Sequence, residues 1–264
     1  VTYKTLTYDV SNSIGVLTLN MPAQRNVLDL VMRLEIQDVL LNIREKCDIR
    51  ALVLTGAGGA FCAGGDLKSL QETPSGAARR ERVRRTHIWI EELVNLEVPV
   101  IAAVDGVAFG GGFSFVLAAD FVFCTPRARF SAVFLRAGLI PDLGCLYLLP
   151  RLVGLQKAKD LLFTARIVEP EEMQKLGLVY EIVAQGSVVA AARAFAERFL
   201  DAPGMALGIT KNILNQSLHS DHWTVAELES MGQALCADSD YYRAAMSRFL
   251  QKKPALFTWE KYQN

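Results

Sequence analysis

Apolar and polar residues alternate over residues 3–10 and again over 14–20, and the Ser11-Asn12-Ser13 step between them predicts a β-hairpin. Met21-Pro22 then breaks the sheet. Over residues 27–44, behind Asn26 as a candidate N-cap, apolar residues recur at helical spacing at Leu30, Leu34, Val39 and Leu41. A strand-like run at 51–54 enters a Gly-rich segment that ends at Asp66, and a second at 101–104 enters another that ends in Gly110-Gly111-Gly112. Residues 113–119 read as a buried helix, 121–124 as a strand, and 129–135 as a further apolar stretch. Helical patterns cover 77–96, 146–153, 155–163 and 169–177, and a last strand covers 178–183. Beyond residue 188 only amphipathic helical segments remain, over 188–200, 205–218, 224–235 and 240–251. Alternating strands and helices followed by helices alone predict an α/β part over residues 1–195 and a helical part over 196–264.

The two Gly-rich loops carry the chemical interest. Glycine lets the backbone come close to a ligand, and the first N–H groups of a helix have no partner of their own. Such a terminus attracts negative charge. Two strands that each run into such a loop therefore predict one site between the loops.

Composition narrows the partners. The chain has 264 residues, 51% of them hydrophobic, enough for a sizeable core. Lys+Arg and Asp+Glu are balanced at 28 each, so net charge points to neither nucleic acid nor a membrane surface. No apolar run reaches the roughly 18 residues that a spanning helix needs, and no signal-peptide pattern opens the chain. The expected location is the cytoplasm, or an organelle after processing. Cys47, Cys62, Cys124, Cys145 and Cys236 are odd in number and lack a CxxC pair, which argues against disulfides or a zinc site. Gly56-Ala57-Gly58 follows a strand, but the third glycine of a dinucleotide loop falls on Phe61. The basic cluster Arg79, Arg80, Arg82, Arg84 and Arg85 is a solvated helix face, a contact to ligand phosphates or a contact to a partner chain.

Six segments fall in family order and spacing: residues 61–67 (FCAGGDL), 102–112 (AAVDGVAFGGG), 119–120 (AD), 138–141 (GLIP), 149–154 (LPRLVG) and 176–179 (LGLV). In these the chain resembles the enoyl-CoA hydratase/isomerase (crotonase) family along nearly its whole length. The resemblance implies a spiral of β-β-α turns with a C-terminal helical part that packs on neighbouring subunits. It also implies a homotrimer or a pair of trimers, and acyl-CoA thioesters as substrates. CoA enters as part of the thioester, so no separate cofactor or metal is expected.

By the same resemblance, the backbone N–H groups of Ala63 and Gly111 would hold the thioester oxygen while negative charge builds on it, each worth about 3–4 kcal/mol. Hydratases of the family use two glutamates to manage a water, and here those positions are Ser114 and Phe134. Neither can take a proton from water near neutral pH. A subset of the family carries a catalytic aspartate at the place of Asp142, with an aromatic residue at the place of Phe134. It includes isomerases of 3-enoyl-CoA and of ring-epoxidised phenylacetyl-CoA. One carboxylate suffices for a 1,3-proton shift. Asp142, following Pro141, can also be read as a helix N-cap, which does not exclude the base; lodged among apolar residues, it would have the raised pKa of a base working near neutrality.

Gly64, Asp66, Leu67 and Gly112 in the loops are expected to lie against the substrate, with Asp66 and Asp120 mainly fixing the loop and a helix end. Phe113, Ser114, Phe134, Leu139 and Trp89 are expected around the acyl group, or else in the core. Arg25 and Cys62 at the first loop, with Phe249, Lys252, Lys253 and Phe257 near the C-terminus, are the expected CoA contacts. Cys62 is also read as a small packed thiol. The expected activity is double-bond isomerisation. Hydration or another thioester reaction is the alternative, and a non-catalytic acyl-CoA or RNA-binding scaffold is the alternative of another class.

Overall fold

The computed structural model describes residues 2–66, 68, 71–72 and 75–259. The hairpin forms as expected: β1 (Leu6–Ser11) pairs antiparallel with β2 (Ile14–Leu19) through Asn12 and Ser13, both at positive φ. Strands β3 (Ala51–Gly56), β4 (Val100–Val104), β6 (Phe121–Cys124) and β8 (Glu181–Ile182) extend this sheet in parallel, in the order β1-β2-β3-β4-β6-β8. A second, two-stranded parallel sheet joins β5 (Val107–Phe109) to β7 (Arg129–Ser131). Twice in succession, at β4-β5 and at β6-β7, the chain leaves one strand in the large sheet and the next in the small one. β4 and β5 are followed by helix, then β6 and β7, so the β-β-α turn repeats.

Strands buried on both faces need apolar residues at every position, and β4 is fully buried along its length. One face carries Leu52, Leu54, Ala102 and Val104 into the main core against α1 (Leu30–Lys46), α2 (Gly76–Val94) and α3 (Gly111–Leu117). The other carries Val53, Ile101, Ala103 and Phe123 against Val188, Ala192, Phe195 and Ala196 of α6 (Val188–Glu197). Between them in sequence lie α4 (Cys145–Thr164), kinked at Gly154, and α5 (Pro170–Lys175), whose Pro170 opens its first turn.

Two expectations for α1 are corrected. Asp29 caps the helix, its side chain accepting from the Met32 N–H, whereas Asn26 is fully buried three residues earlier. The buried stripe is Met32, Ile36, Val39, Leu40 and Ile43, while Leu30, Leu34 and Leu41 face outward. The strand expected over 178–183 shortens to two residues, and β5 emerges from a segment that reads only as loop.

The helical end comprises α7 (Gly204–Ser217), α8 (His222–Ala237) and α9 (Asp240–Leu250). It is fastened to the sheet by a buried cation. Lys211 of α7 donates to Asp120 Oδ2 at 2.7 Å and to the Val98 carbonyl at 3.2 Å, and Asp120 Oδ2 also accepts from the Val100 N–H. Burial pushes the Lys211 ammonium pKa down and that of the Asp120 carboxyl up, so the pair is held by direct contact rather than by ease of ionisation. Among the described residues, no helix is long and apolar enough to cross a membrane. Lys211→Met leaves Asp120 facing an apolar side chain and is expected to cost about 1–3 kcal/mol of stability, read as a lower denaturation midpoint.

Candidate active site

Strands β3 and β4 are parallel neighbours, so the loops that follow them leave the same edge of the sheet. There the loops are zipped together: the Cys62 N–H donates to the Val107 carbonyl at 2.9 Å, and the Phe109 N–H to the Cys62 carbonyl at 3.0 Å. Only glycine permits this approach. A β-carbon on Gly112 would lie 2.3 Å from the Cys62 carbonyl oxygen, and one on Gly64, at φ +104°, would lie 2.7 Å from that of Phe109. Asn26 anchors the first loop from behind: its Oδ1 accepts from the Met21 N–H, and its Nδ2 donates to the Ala57 and Ala60 carbonyls at 2.9 and 2.8 Å.

The amides that remain free define the site. Gly111 is the first residue of α3, so its N–H has no partner within the helix, and among the described residues it finds none outside. Ala63, expected as the second donor, is corrected: its N–H donates to the Arg25 carbonyl at 2.9 Å and is spent. Two residues on, the Gly65 N–H donates to no described residue, and Gly65 N lies 3.7 Å from where a β-carbon on Gly111 would stand. The pair of convergent free amides is Gly65 and Gly111.

Beside them opens a cavity of about 1030 Å³, lined by Gly64, Gly65, Gly110 and Gly111, by Phe134, Leu139 and Leu143, and by Asp66 and Asp142. Asp142 begins a turn closed by the Cys145 N–H on its carbonyl at 3.1 Å. Leu143 next to it holds φ +53°, unusual for a branched residue, and is buried with its Cδ1 2.9 Å from the β-carbon position of Gly111. That wedge ties Asp142 to the amides. The N-cap of α4 is Gly144, so the Asp142 carboxylate is not consumed as a cap. Burial raises its pKa, opposed by the positive charges of Arg33, His87 and Arg82. Asp66 has local duty, accepting from the Lys68 N–H at 3.1 Å.

Several expected residues stand elsewhere. Phe113 and Ser114 are buried in the core and do not line the cavity; the Ser114 Oγ lies 3.4 Å from the Gly110 carbonyl. Trp89 is also core, set edge-on against Phe115 at 5.3 Å, because α2 turns Thr86, Trp89, Ile90 and Leu93 inward and Arg80, Val83, Arg84 and His87 to the cavity. Cys62 is fully enclosed, and burial pushes its thiol pKa up to about 12, so it packs rather than meeting CoA. Gly112 packs behind the wall, against Cys62. Arg25, Phe249, Lys252, Lys253 and Phe257 lie off this cavity: Phe249 is exposed, and Phe257 packs on the second core cluster. Leu67 lies outside the described residues. Sequence reasoning missed Gly65, Arg33 and His87. A charged residue beside Met32, on the apolar stripe of α1, was the available signal for Arg33.

Comparison with known proteins bears on this geometry. A family model described as enoyl-CoA hydratase/isomerase matches residues 9–261. The chain is 32% identical over 252 residues to 1,2-epoxyphenylacetyl-CoA isomerase of Escherichia coli strain K12, covering 94% of this chain and 96% of that one. It is 29% identical over 256 residues to crotonyl-CoA hydratase of Syntrophomonas wolfei, covering 97% and 98%. A crystal structure of an enoyl-CoA hydratase/isomerase from Cupriavidus metallidurans CH34 superposes with a TM-score of 0.92 at 43% identity, covering 97% of each chain.

Two outcomes test the loop geometry. Native protein treated with iodoacetamide at mild alkaline pH is expected to be alkylated at exposed Cys47 and spared at Cys62, as peptide mass mapping would show. Gly112→Ala drives a β-carbon into the Cys62 backbone; expected are a loss of about 1–3 kcal/mol in denaturation and loss of turnover.

Proposed function

Because the chain belongs to the enoyl-CoA hydratase/isomerase family, whose members act on acyl-CoA thioesters, we propose that it moves a carbon–carbon double bond by a 1,3-proton shift. The observation that carries this reading is the pairing of two amides that donate to no described residue with one half-buried carboxylate, Asp142, in one cavity.

The thioester carbonyl of a 3-enoyl-CoA accepts from the N–H groups of Gly65 and Gly111. The Asp142 carboxylate takes a proton from carbon 2, and the electron pair moves onto the thioester oxygen. Fixed donors aimed at that oxygen need no reorganisation as charge develops, and each contributes about 3–4 kcal/mol. The carboxylic acid so formed then returns its proton at carbon 4, the oxygen gives back its charge, and the double bond lies between carbons 2 and 3. No atom is gained or lost. Adding water requires a second group to orient and deprotonate it. The other carboxylate of the wall, Asp66, is engaged with its own loop, and Phe134 presents hydrocarbon.

The relatives' names divide between isomerase and hydratase; Ser114 and Phe134 at the places of the two hydratase glutamates, with Asp142 the carboxylate left for the chemistry, favour the isomerase. For the same reason the acid limb of the rate profile has a defined sign. A base works only when ionised, so kcat falls as pH drops through the Asp142 pKa, which burial places above the usual carboxylate value near 4.

Following double-bond migration in a 3-enoyl-CoA by NMR, Asp142→Asn is expected to lower kcat about 10²–10⁴-fold while acyl-CoA still binds. Full turnover by this variant, or faster hydration of crotonyl-CoA than isomerisation by the native enzyme, would overturn the assignment. The native kcat is expected to fall toward acid pH with a midpoint above the usual carboxylate value near 4.

A further inference from the structure

Arg33 projects from α1 into the same cavity, although it is only 8% exposed. Its Nε donates to the Leu28 carbonyl at 2.9 Å, which fixes the plane of the guanidinium. The two terminal nitrogens donate to no acceptor among the described residues, and no carboxylate among them forms an ion pair with Arg33. Its Nη2 lies 3.4 Å from where a β-carbon on Gly65 would stand, so these free donors sit at the reacting end of the cavity.

The other arginines of the wall differ. Arg79, Arg80 and Arg84 are exposed on α2, and Arg84 is paired with Glu81 at 3.5 Å. Exposed cations there suit the phosphates of a nucleotide that remain near water. Arg33 is buried among the loops instead. A guanidinium stripped of water with its terminal nitrogens unbonded is destabilising; burial and repulsion from Arg82 push its pKa down, against the attraction of Asp142 and Asp29. Two terminal nitrogens in a fixed plane match the two oxygens of a carboxylate. Arg33 already acts on Asp142 across this space, which places its charge where the acyl group would lie.

We propose that the preferred acyl group carries its own carboxylate, and that Arg33 is the specificity-determining residue that receives it. This rests on the acyl-CoA reading above and narrows it to thioesters of dicarboxylic acids.

The test uses saturated acyl-CoA pairs of equal length, which bind without reacting: succinyl- against butyryl-CoA, glutaryl- against pentanoyl-CoA, and adipoyl- against hexanoyl-CoA, titrated calorimetrically into the whole protein. In at least one pair the carboxylated member is expected to bind roughly tenfold or more tightly, the effect of one charge-assisted contact. Arg33→Met is expected to bring that ratio to within about threefold of unity, and Arg33→Lys to an intermediate value. Equal or tighter binding of the neutral member in every pair, or a ratio that survives Arg33→Met, would overturn the proposal. The native ratio needs no variant, so a variant that fails to fold leaves the test standing. Failure of 3-enoyl-CoA to isomerise would remove the proposed reaction without touching this ratio, whereas no binding of any acyl-CoA would end both.

Discussion

The contact on which the site depends is between two stretches of bare backbone. The Phe109 N–H reaches the Cys62 carbonyl at 3.0 Å, and the Val107 carbonyl takes the Cys62 N–H at 2.9 Å. These bonds form only because Gly64 and Gly112 place no carbon in the 2.3–2.7 Å gap that a side chain would have to enter. Beside this pairing the amides of Gly65 and Gly111 donate to no partner among the described residues. Parallel pairing of β3 with β4 brings the loops to one edge, and Asn26 stops the first from drifting away.

Around this polar pair the cavity is charged in an asymmetric way. Its wall carries several arginines and the carboxylates of Asp66 and Asp142, in a chain whose overall charge is balanced. The arginines divide by burial. Those of α2 stay near water, where charge costs little, while Arg33 is held away from it. Arg33 and Asp142 act on one another across the space, each shifting the proton affinity of the other. Desolvation makes the Asp142 carboxylate hold a proton more readily and the Arg33 guanidinium less readily. Both follow from desolvation, acting with opposite sign on opposite charges.

Leu143 links these two features. Its positive φ is an unfavourable backbone state that persists because its side chain is buried against Gly111. The turn that holds Asp142 is therefore packed against the second Gly-rich loop through Leu143. Lys211 does similar work further out, joining the helical end of the chain to the sheet through Asp120.

The alternation of strand and helix, the hairpin, the two Gly-rich loops and the shift to helices near residue 188 were all legible in the chain, because each rests on local periodicity or on glycine's freedom of φ. The family was legible too, from motifs in register. The choice of Gly65 over Ala63 was not, since which of two nearby amides is spent depends on the Arg25 carbonyl, brought in from a distant segment. Trp89 and Phe113 look like pocket aromatics in one dimension, and only the rotation of α2 and α3 against the sheet turned them into core. The outward face of Leu30 and Leu34 and the inward face of Arg33 were settled the same way. Periodicity says that a helix has two faces, but what lies against each face is decided by packing between segments far apart in the chain.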